Sequence, residues 1–142
     1  MNHKSSEFSE ELKQVCPEGI DVYFENVGGK VLNTVLPLLN DFARIPVCGI
    51  ISAYNSTELP SGPNLIPSLM KSILVKRLTF RGFIVWDFAN QEKEALQQLA
   101  KWIKQGKLHY LEDIVDGLEN APEAFIGLFD GKNFGKLVVR VN

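Results

Sequence analysis

Apolar and polar positions along the chain fall into blocks that change period. From Ser6 to Val15 the residues Phe8, Leu12 and Val15 recur at helical spacing, which predicts an amphipathic helix stopped by Pro17 and Gly19. Gly19 to Val27 then carries Ile20, Val22, Tyr23, Phe24 and Val27, a short β-rich run of the kind found in a buried parallel strand. Gly28 and Gly29 break it. Helical spacing returns over Lys30 to Phe42, with Val31, Leu32, Val35, Leu36, Leu39 and Phe42 on one side. Pro37 inside that pattern predicts a kink or an early end.

A second strand is expected from Arg44 to Ile51, although Pro46 lacks a ladder donor and argues against a central place for it. Ser52 to Pro67, with Tyr54, Asn55, Pro60, Ser61, Gly62 and Pro63, reads as a long loop of the sort that is functional or disordered in compact domains. Pro67 can open a short helix ending near Val75. Leu78 to Trp86 is a third strand. A longer helix is expected from Asn90 to Gln105, with Leu96, Leu99, Ala100 and Ile103 inward and Gly106 as its stop. Asn120 and Glu123 resemble a capping pair, with Pro122 in the first turn of a helix ending at Gly131, and Lys136 to Val141 closes the chain as a strand. This alternation predicts an α/β protein with parallel strands.

Composition narrows the function classes. The chain has 142 residues, 45% hydrophobic and 23% charged, which suits one domain or a piece of a larger one. A net charge of −2 speaks against a general nucleic-acid surface. No apolar run approaches the roughly 20 residues that span a bilayer. The polar, acidic start from Met1 to Glu11 does not read as a secretory signal, and two cysteines, Cys16 and Cys48, make no disulfide framework, so a cytoplasmic protein is expected. His3, His109 and those cysteines are the imidazole and thiol ligands available, and no pair has metal-finger spacing, so no metal site is expected. A complete dinucleotide-binding domain opens with a strand and a glycine-rich turn. Here a helix comes first, and Gly28-Gly29 lacks that spacing, so the expected fold class is the second half of a Rossmann-type parallel sheet with flanking helices.

The strings G-I-D-V-Y-F-E-N-V-G-G (Gly19 to Gly29), R-I-P-V-C-G-I-I-S-A-Y-N (Arg44 to Asn55), R-G-F-I-V (Arg81 to Val85), D-G-L-E-N-A-P-E-A-F-I-G-L (Asp116 to Leu128) and G-K-N-F-G-K (Gly131 to Lys136) resemble the C-terminal part of medium-chain dehydrogenases/reductases. Their order resembles the zinc-free branch, which includes prostaglandin reductases, leukotriene hydroxydehydrogenases and NADPH-dependent curcumin reductases. The resemblance runs over essentially the whole chain. It implies residues 1–106 as the C-terminal half of a nucleotide-binding domain, and 107–142 as a helix-strand segment belonging to the catalytic domain. It also places Asn2, His3 and Lys4 near the end of a cofactor-contacting strand, with His3 where many relatives carry a tyrosine.

The same resemblance implies an NADP(H) site. Asn26 ends a buried strand before two glycines; by spacing it is either a turn asparagine bonding its own backbone or a ligand contact at the sheet edge. The resemblance implies contact with the nicotinamide half. Cys48, a small core residue by pattern, is implied to touch the cofactor through its backbone, within a segment of Gly49, Ile50, Ile51, Ser52, Ala53 and Tyr54 that wraps the nicotinamide and its ribose. Phe83, Ile84 and Val85, core by pattern on the third strand, are implied to lie against the nicotinamide. Asn133, a turn residue by pattern, is implied to reach the cofactor as well. His109, Trp86 and Trp102 read as surface or packing residues.

The implied activity is hydride transfer from NADPH to the carbon–carbon double bond of α,β-unsaturated ketones or aldehydes, an alkenal-reductase chemistry, with Tyr54 as catalytic donor to the enolate. Partners would be a small-molecule enone and a second copy, a homodimer formed through the strand near Leu78 to Trp86. The alternative is a truncated, inactive domain that only folds and dimerises, since a chain without the glycine-rich turn lacks the pyrophosphate's backbone donors. A methyltransferase-like nucleotide fold also needs that early turn.

Overall fold

The computed structural model describes residues 2–58 and 64–141; Pro60, Ser61, Gly62 and Pro63 of the expected loop lie outside the described residues. The chain divides into two compact units, residues 1–88 and 89–142.

The first unit is a three-stranded parallel sheet in the order β1-β2-β3, with β1 at Ile20–Val22, β2 at Leu39–Val47 and β3 at Thr79–Gly82. Helix α1 (Phe8–Val15) precedes the sheet, α2 (Gly29–Val35) connects β1 to β2, and α3 (Ile66–Lys76) precedes β3, so strand and helix alternate as the pattern predicts. Phe8 and Leu12 of α1, Val35 of α2, Leu39, Ala43 and Ile45 of β2, and Leu78 are buried and form the core. Each fully buried aliphatic side chain there is worth about 1.5–3 kcal/mol of transfer free energy. Val15, expected on the same face of α1, is 64% exposed.

Further expectations in this unit are corrected. The helix after Gly29 stops at Val35, and Pro37 sits in a 3-10 turn over Leu36–Leu38. Leu39 is therefore a buried strand residue, and Phe42, at φ 62°, stands exposed with the Arg77 guanidinium 4.5 Å from its ring centre. The register shift between Ile20↔Leu39 and Val22↔Arg44 takes up the extra residues around Phe42. Next, β2 is the central strand despite Pro46, whose carbonyl still accepts the Glu25 N–H at 2.9 Å. Finally, β1 and β3 are shorter than expected. Beyond Val22 the pairing is reduced to the Tyr23 N–H bond to Arg44 and an isolated bridge of Glu25 with Val47, and β3 gives way after Gly82 to 3-10 turns over Val85–Gln91.

The second unit holds α4 (Glu92–Lys104), β4 (Glu112–Asp116), α5 (Ala121–Phe129) and β5 (Lys136–Arg140). Strands β4 and β5 pair in parallel from Glu112↔Lys136 to Asp116↔Arg140. The acidic residues of Glu-Asp-Ile-Val-Asp hid β4 from the apolar pattern. Leu96, Leu99, Ala100 and Ile103 of α4, expected inward, are exposed in this chain. Pro122 does lie in the first turn of α5, but the capping pair is not made: Asn120 Nδ2 donates to the Asp116 carbonyl at 2.8 Å instead. Among the described residues no helix is long and apolar enough to cross a membrane.

Candidate functional site

The chain leaves β1 and β2 at the same end of the sheet, and the two exit segments are laced together. The Glu25 carbonyl accepts from the N–H groups of Cys48 (2.8 Å) and Gly49 (3.3 Å), Asn26 accepts from Ile51 (3.1 Å), and Val27 accepts from Ser52 (3.0 Å). Phe83 N–H, just past β3, donates to Val47 at 3.2 Å and brings a third segment to the same edge. Asn26, the residues from Cys48 to Tyr54 and Phe83 thus meet where open parallel sheets bind ligands, outside the carboxyl ends of their strands.

Gly49 is the centre of that edge. A Cβ added to this buried glycine would sit 2.6 Å from both Asn26 Oδ1 and Tyr54 Oη, so the two polar groups converge only because the side chain is absent. Asn26 is exposed, and its carboxamide makes no hydrogen bond among the described residues. Tyr54, 59% exposed, accepts the Ile50 N–H at 3.3 Å through Oη, which leaves its own proton uncommitted among those residues. Ser52 Oγ lies where side chains on Gly28 and Gly29 would approach, 3.3 and 3.1 Å from their added Cβ positions. Cys48 is exposed, so the small-core alternative for it is overturned.

The third segment differs from its expectation. Phe83, Ile84 and Val85 lie past the end of β3, not on it; Phe83 is half-buried, whereas Ile84 and Val85 are exposed. Phe83 packs edge to face with Phe24 (5.9 Å between ring centres) and Phe88 (5.7 Å). Of those two rings, Phe24 was expected inside a buried strand but lies beyond β1 and is 57% exposed, and Phe88 was not singled out by the sequence pattern.

Asn133 belongs to the second unit and behaves as a turn residue, its Nδ2 donating to the Gly135 carbonyl at 2.8 Å. That unit also holds a cavity of about 290 Å³ lined by Asp113, Asn120, Glu123, Lys132 and Asn133 among others.

Beneath the first-unit edge lies the residue that sequence reasoning missed. Glu25, 1% exposed, is the buried charged side chain of the described residues. Its Oε1 accepts from Val27 N–H and Gly28 N–H, both at 2.7 Å, and from Tyr23 Oη at 3.3 Å, while Oε2 is buried without a partner. Burial, then the charge of Glu25 and the hydrogen bond to it, push the Tyr23 phenol up to about 12 from 10.0. The signal was present: an acidic residue at the end of a β-rich apolar run, directly before Asn-Val-Gly-Gly.

Residues 1–139 match the family described as zinc-binding dehydrogenase. The chain is 54% identical over 142 residues to the NADPH-dependent curcumin reductase of Escherichia coli, covering 99% of this chain and 41% of that protein. It is 43% identical to the NADP(+)-dependent 2-alkenal reductase of Nicotiana tabacum, covering 99% and 40%. A crystal structure of CurA from Vibrio vulnificus in complex with NADPH superposes with a TM-score of 0.92 at 54% identity, covering all of this chain and 42% of that one. The chain thus spans about two fifths of the length of these relatives. Among the described residues no group of three or more His, Cys, Asp or Glu could hold a metal ion. The chain belongs to the zinc-binding dehydrogenase family and corresponds to the C-terminal part of a medium-chain dehydrogenase/reductase.

Proposed function

We propose that the protein carrying this chain is a zinc-independent NADP(H)-dependent oxidoreductase that reduces the carbon–carbon double bond of α,β-unsaturated ketones or aldehydes. The observation that carries this reading is the convergence of Asn26 and Tyr54 at Gly49, on the edge shared by β1 and β2. Its relatives' names supply the substrate class, since a 2-alkenal is an aldehyde conjugated to a carbon–carbon double bond. NADPH, when bound, supplies the hydride. The side chains here do the rest. Asn26 and Ser52 offer hydrogen bonds to carboxamide and ribose hydroxyl groups, and Gly49 lets a planar ring approach the backbone. The segment Cys48, Gly49, Ile50, Ile51, Ser52, Ala53 and Tyr54 forms one wall, with Phe83, Ile84 and Val85 as another. Tyr54, its oxygen already receiving the Ile50 N–H, donates its proton toward the substrate oxygen as enolate charge develops.

The reading extends to organisation. Residues 1–106 serve the nucleotide-binding domain and 107–142 the catalytic domain, in a cytoplasmic enzyme. A homodimer forms through the strand region Leu78 to Trp86, supported by the position of β3 at the edge of its sheet, where unpaired backbone groups invite a second strand.

The test is an NADPH titration followed by the fluorescence of Trp86 and Trp102. Saturable binding, with turnover of an enone falling about 100-fold in Tyr54→Phe, is the expected result. Unchanged turnover in Tyr54→Phe removes its catalytic role. No binding to a folded 142-residue chain favours the alternative, a domain that alone only folds and dimerises, which agrees with the exposed apolar side chains of α4.

A further inference from the structure

The two turns that carry Asn26 and Asn133 read alike, Asn-Val-Gly and Asn-Phe-Gly, yet only one asparagine is spent on its own turn. At Asn26 a neighbour has taken over. The Glu25 carboxylate receives the Val27 and Gly28 N–H groups at 2.7 Å each, short distances that mark charge-assisted bonds. The same residue's backbone bonds Pro46, Cys48 and Gly49, so it ties both exit segments of the site together. A buried charge is costly unless it is hydrogen-bonded or paired, and no ion pair is made by Glu25 among the described residues. Among the described residues Tyr23 is the one side chain that hydrogen-bonds to it. An apolar residue would cost nothing to bury here, but it would leave two turn amides without an acceptor, and the Asn26 side chain is the nearest replacement in sequence.

We infer that Glu25 is the positioning residue of this site: its carboxylate occupies the turn amides and so keeps the Asn26 carboxamide free and held at Gly49, facing the cofactor. Glu25 itself touches no ligand. The proposal rests on the reading of Asn26 as a cofactor contact, and the test separates the two.

In the full-length protein, Glu25→Gln keeps the shape of the side chain and removes its charge, while Glu25→Asp keeps the charge and withdraws it by one methylene. Amide hydrogen exchange at Val27 and Gly28 reports the hold on the turn, and NADPH affinity reports its consequence. Exchange at both amides accelerates about tenfold in Glu25→Gln, as a charge-assisted bond becomes a neutral one. NADPH binds about tenfold more weakly to Glu25→Asp, and adding that change to Asn26→Ala weakens binding no further, because both act through one carboxamide. Wild-type affinity in folded Glu25→Asp overturns the proposal. So do penalties that multiply in the double variant, since a merely structural residue would act independently of Asn26. If Asn26→Ala binds NADPH like the wild type, the cofactor reading of Asn26 falls and takes the positioning role with it; accelerated exchange in Glu25→Gln then marks a purely structural anchor.

Discussion

The two Asn-x-Gly turns differ in which side chain satisfies the backbone. At Asn133 the asparagine does it, donating Nδ2 to the Gly135 carbonyl, and the Phe134 N–H takes Asp113 Oδ2 from β4 at 3.3 Å. At Asn26 the buried Glu25 does it, and the carboxamide is left over beside Gly49. The same tripeptide pattern therefore yields a structural asparagine in one place and an available one in the other. What decides is a carboxylate one residue upstream, buried deeply enough that its bonds to the turn are not shared with water. A free polar group at a ligand edge needs a second group to relieve it of local duty.

The largest effect that bears on this contrast is expected from Glu25→Ala. It strips two backbone donors of their acceptor, and each buried unsatisfied group costs about 1–3 kcal/mol. Urea unfolding should then show a loss of about 3 kcal/mol in the first unit, given that Gly28 is buried and Val27 only partly so. If Glu25→Ala is as stable as the wild type, the turn does not depend on the carboxylate. Asn133→Ala should cost about 1 kcal/mol, the worth of one exposed local hydrogen bond. A loss in Asn133→Ala equal to that in Glu25→Ala would erase the distinction between the turns.

Gly49→Ala tests the free asparagine from the other side. Its new Cβ would stand 2.6 Å from Asn26 Oδ1 and Tyr54 Oη, both at the ends of side chains that can swing away. The change should therefore cost less than about 1 kcal/mol in stability while NADPH affinity drops by tenfold or more, since the groups that swing are the ones proposed to meet it. A stability loss without an affinity loss would reverse that assignment.

The Tyr23–Glu25 contact gives a pH signature. Burial and the nearby carboxylate raise the Tyr23 phenol to about 12, so the folded state holds the proton more tightly than the unfolded one, where it leaves near 10.0. The stabilisation is complete below pH 10 and lost as pH rises toward 12. The difference in urea midpoint between wild type and Tyr23→Phe should be constant up to pH 10 and shift against the wild type above it. A difference that stays flat to pH 12 would mean the phenol is not held by Glu25.

Much of this was legible in the chain. The β1–α2–β2 order followed from period changes and from Gly28, at φ 74°, where a left-handed turn favours glycine. The convergence of Asn26 with the segment from Cys48 to Tyr54 was implied by resemblance and is physically a consequence of two adjacent parallel strands ending level. Other features were illegible for definite reasons. Leu39 continues the apolar spacing of a helix, but Pro37 ends that helix and the same residue becomes the start of a strand; periodicity alone cannot see the change of period when apolar residues run through it. Strand β4 was hidden because its alternation is of half-buried Asp113 and Val115 with exposed neighbours, a pattern without a continuous apolar signal. Glu25 was passed over because a charged residue is read as solvent-facing, and its burial depends on amides that come after it in the turn.

The smallest effect is the most discriminating. Asn26→Ala should leave stability unchanged within about 0.5 kcal/mol, because an exposed carboxamide with no partner among the described residues has nothing to lose on folding. A turn asparagine in the ordinary sense would behave like Asn133, losing the bond that closes its own turn. If Asn26→Ala destabilises the chain as much as Asn133→Ala does, then Asn26 contributes to its turn after all, Glu25 has not relieved it, and the resemblance between the two sequences would extend to their physics. If stability holds while NADPH affinity falls, the carboxamide is present for the ligand alone. Urea unfolding and NADPH titration of the same Asn26→Ala sample decide between the two.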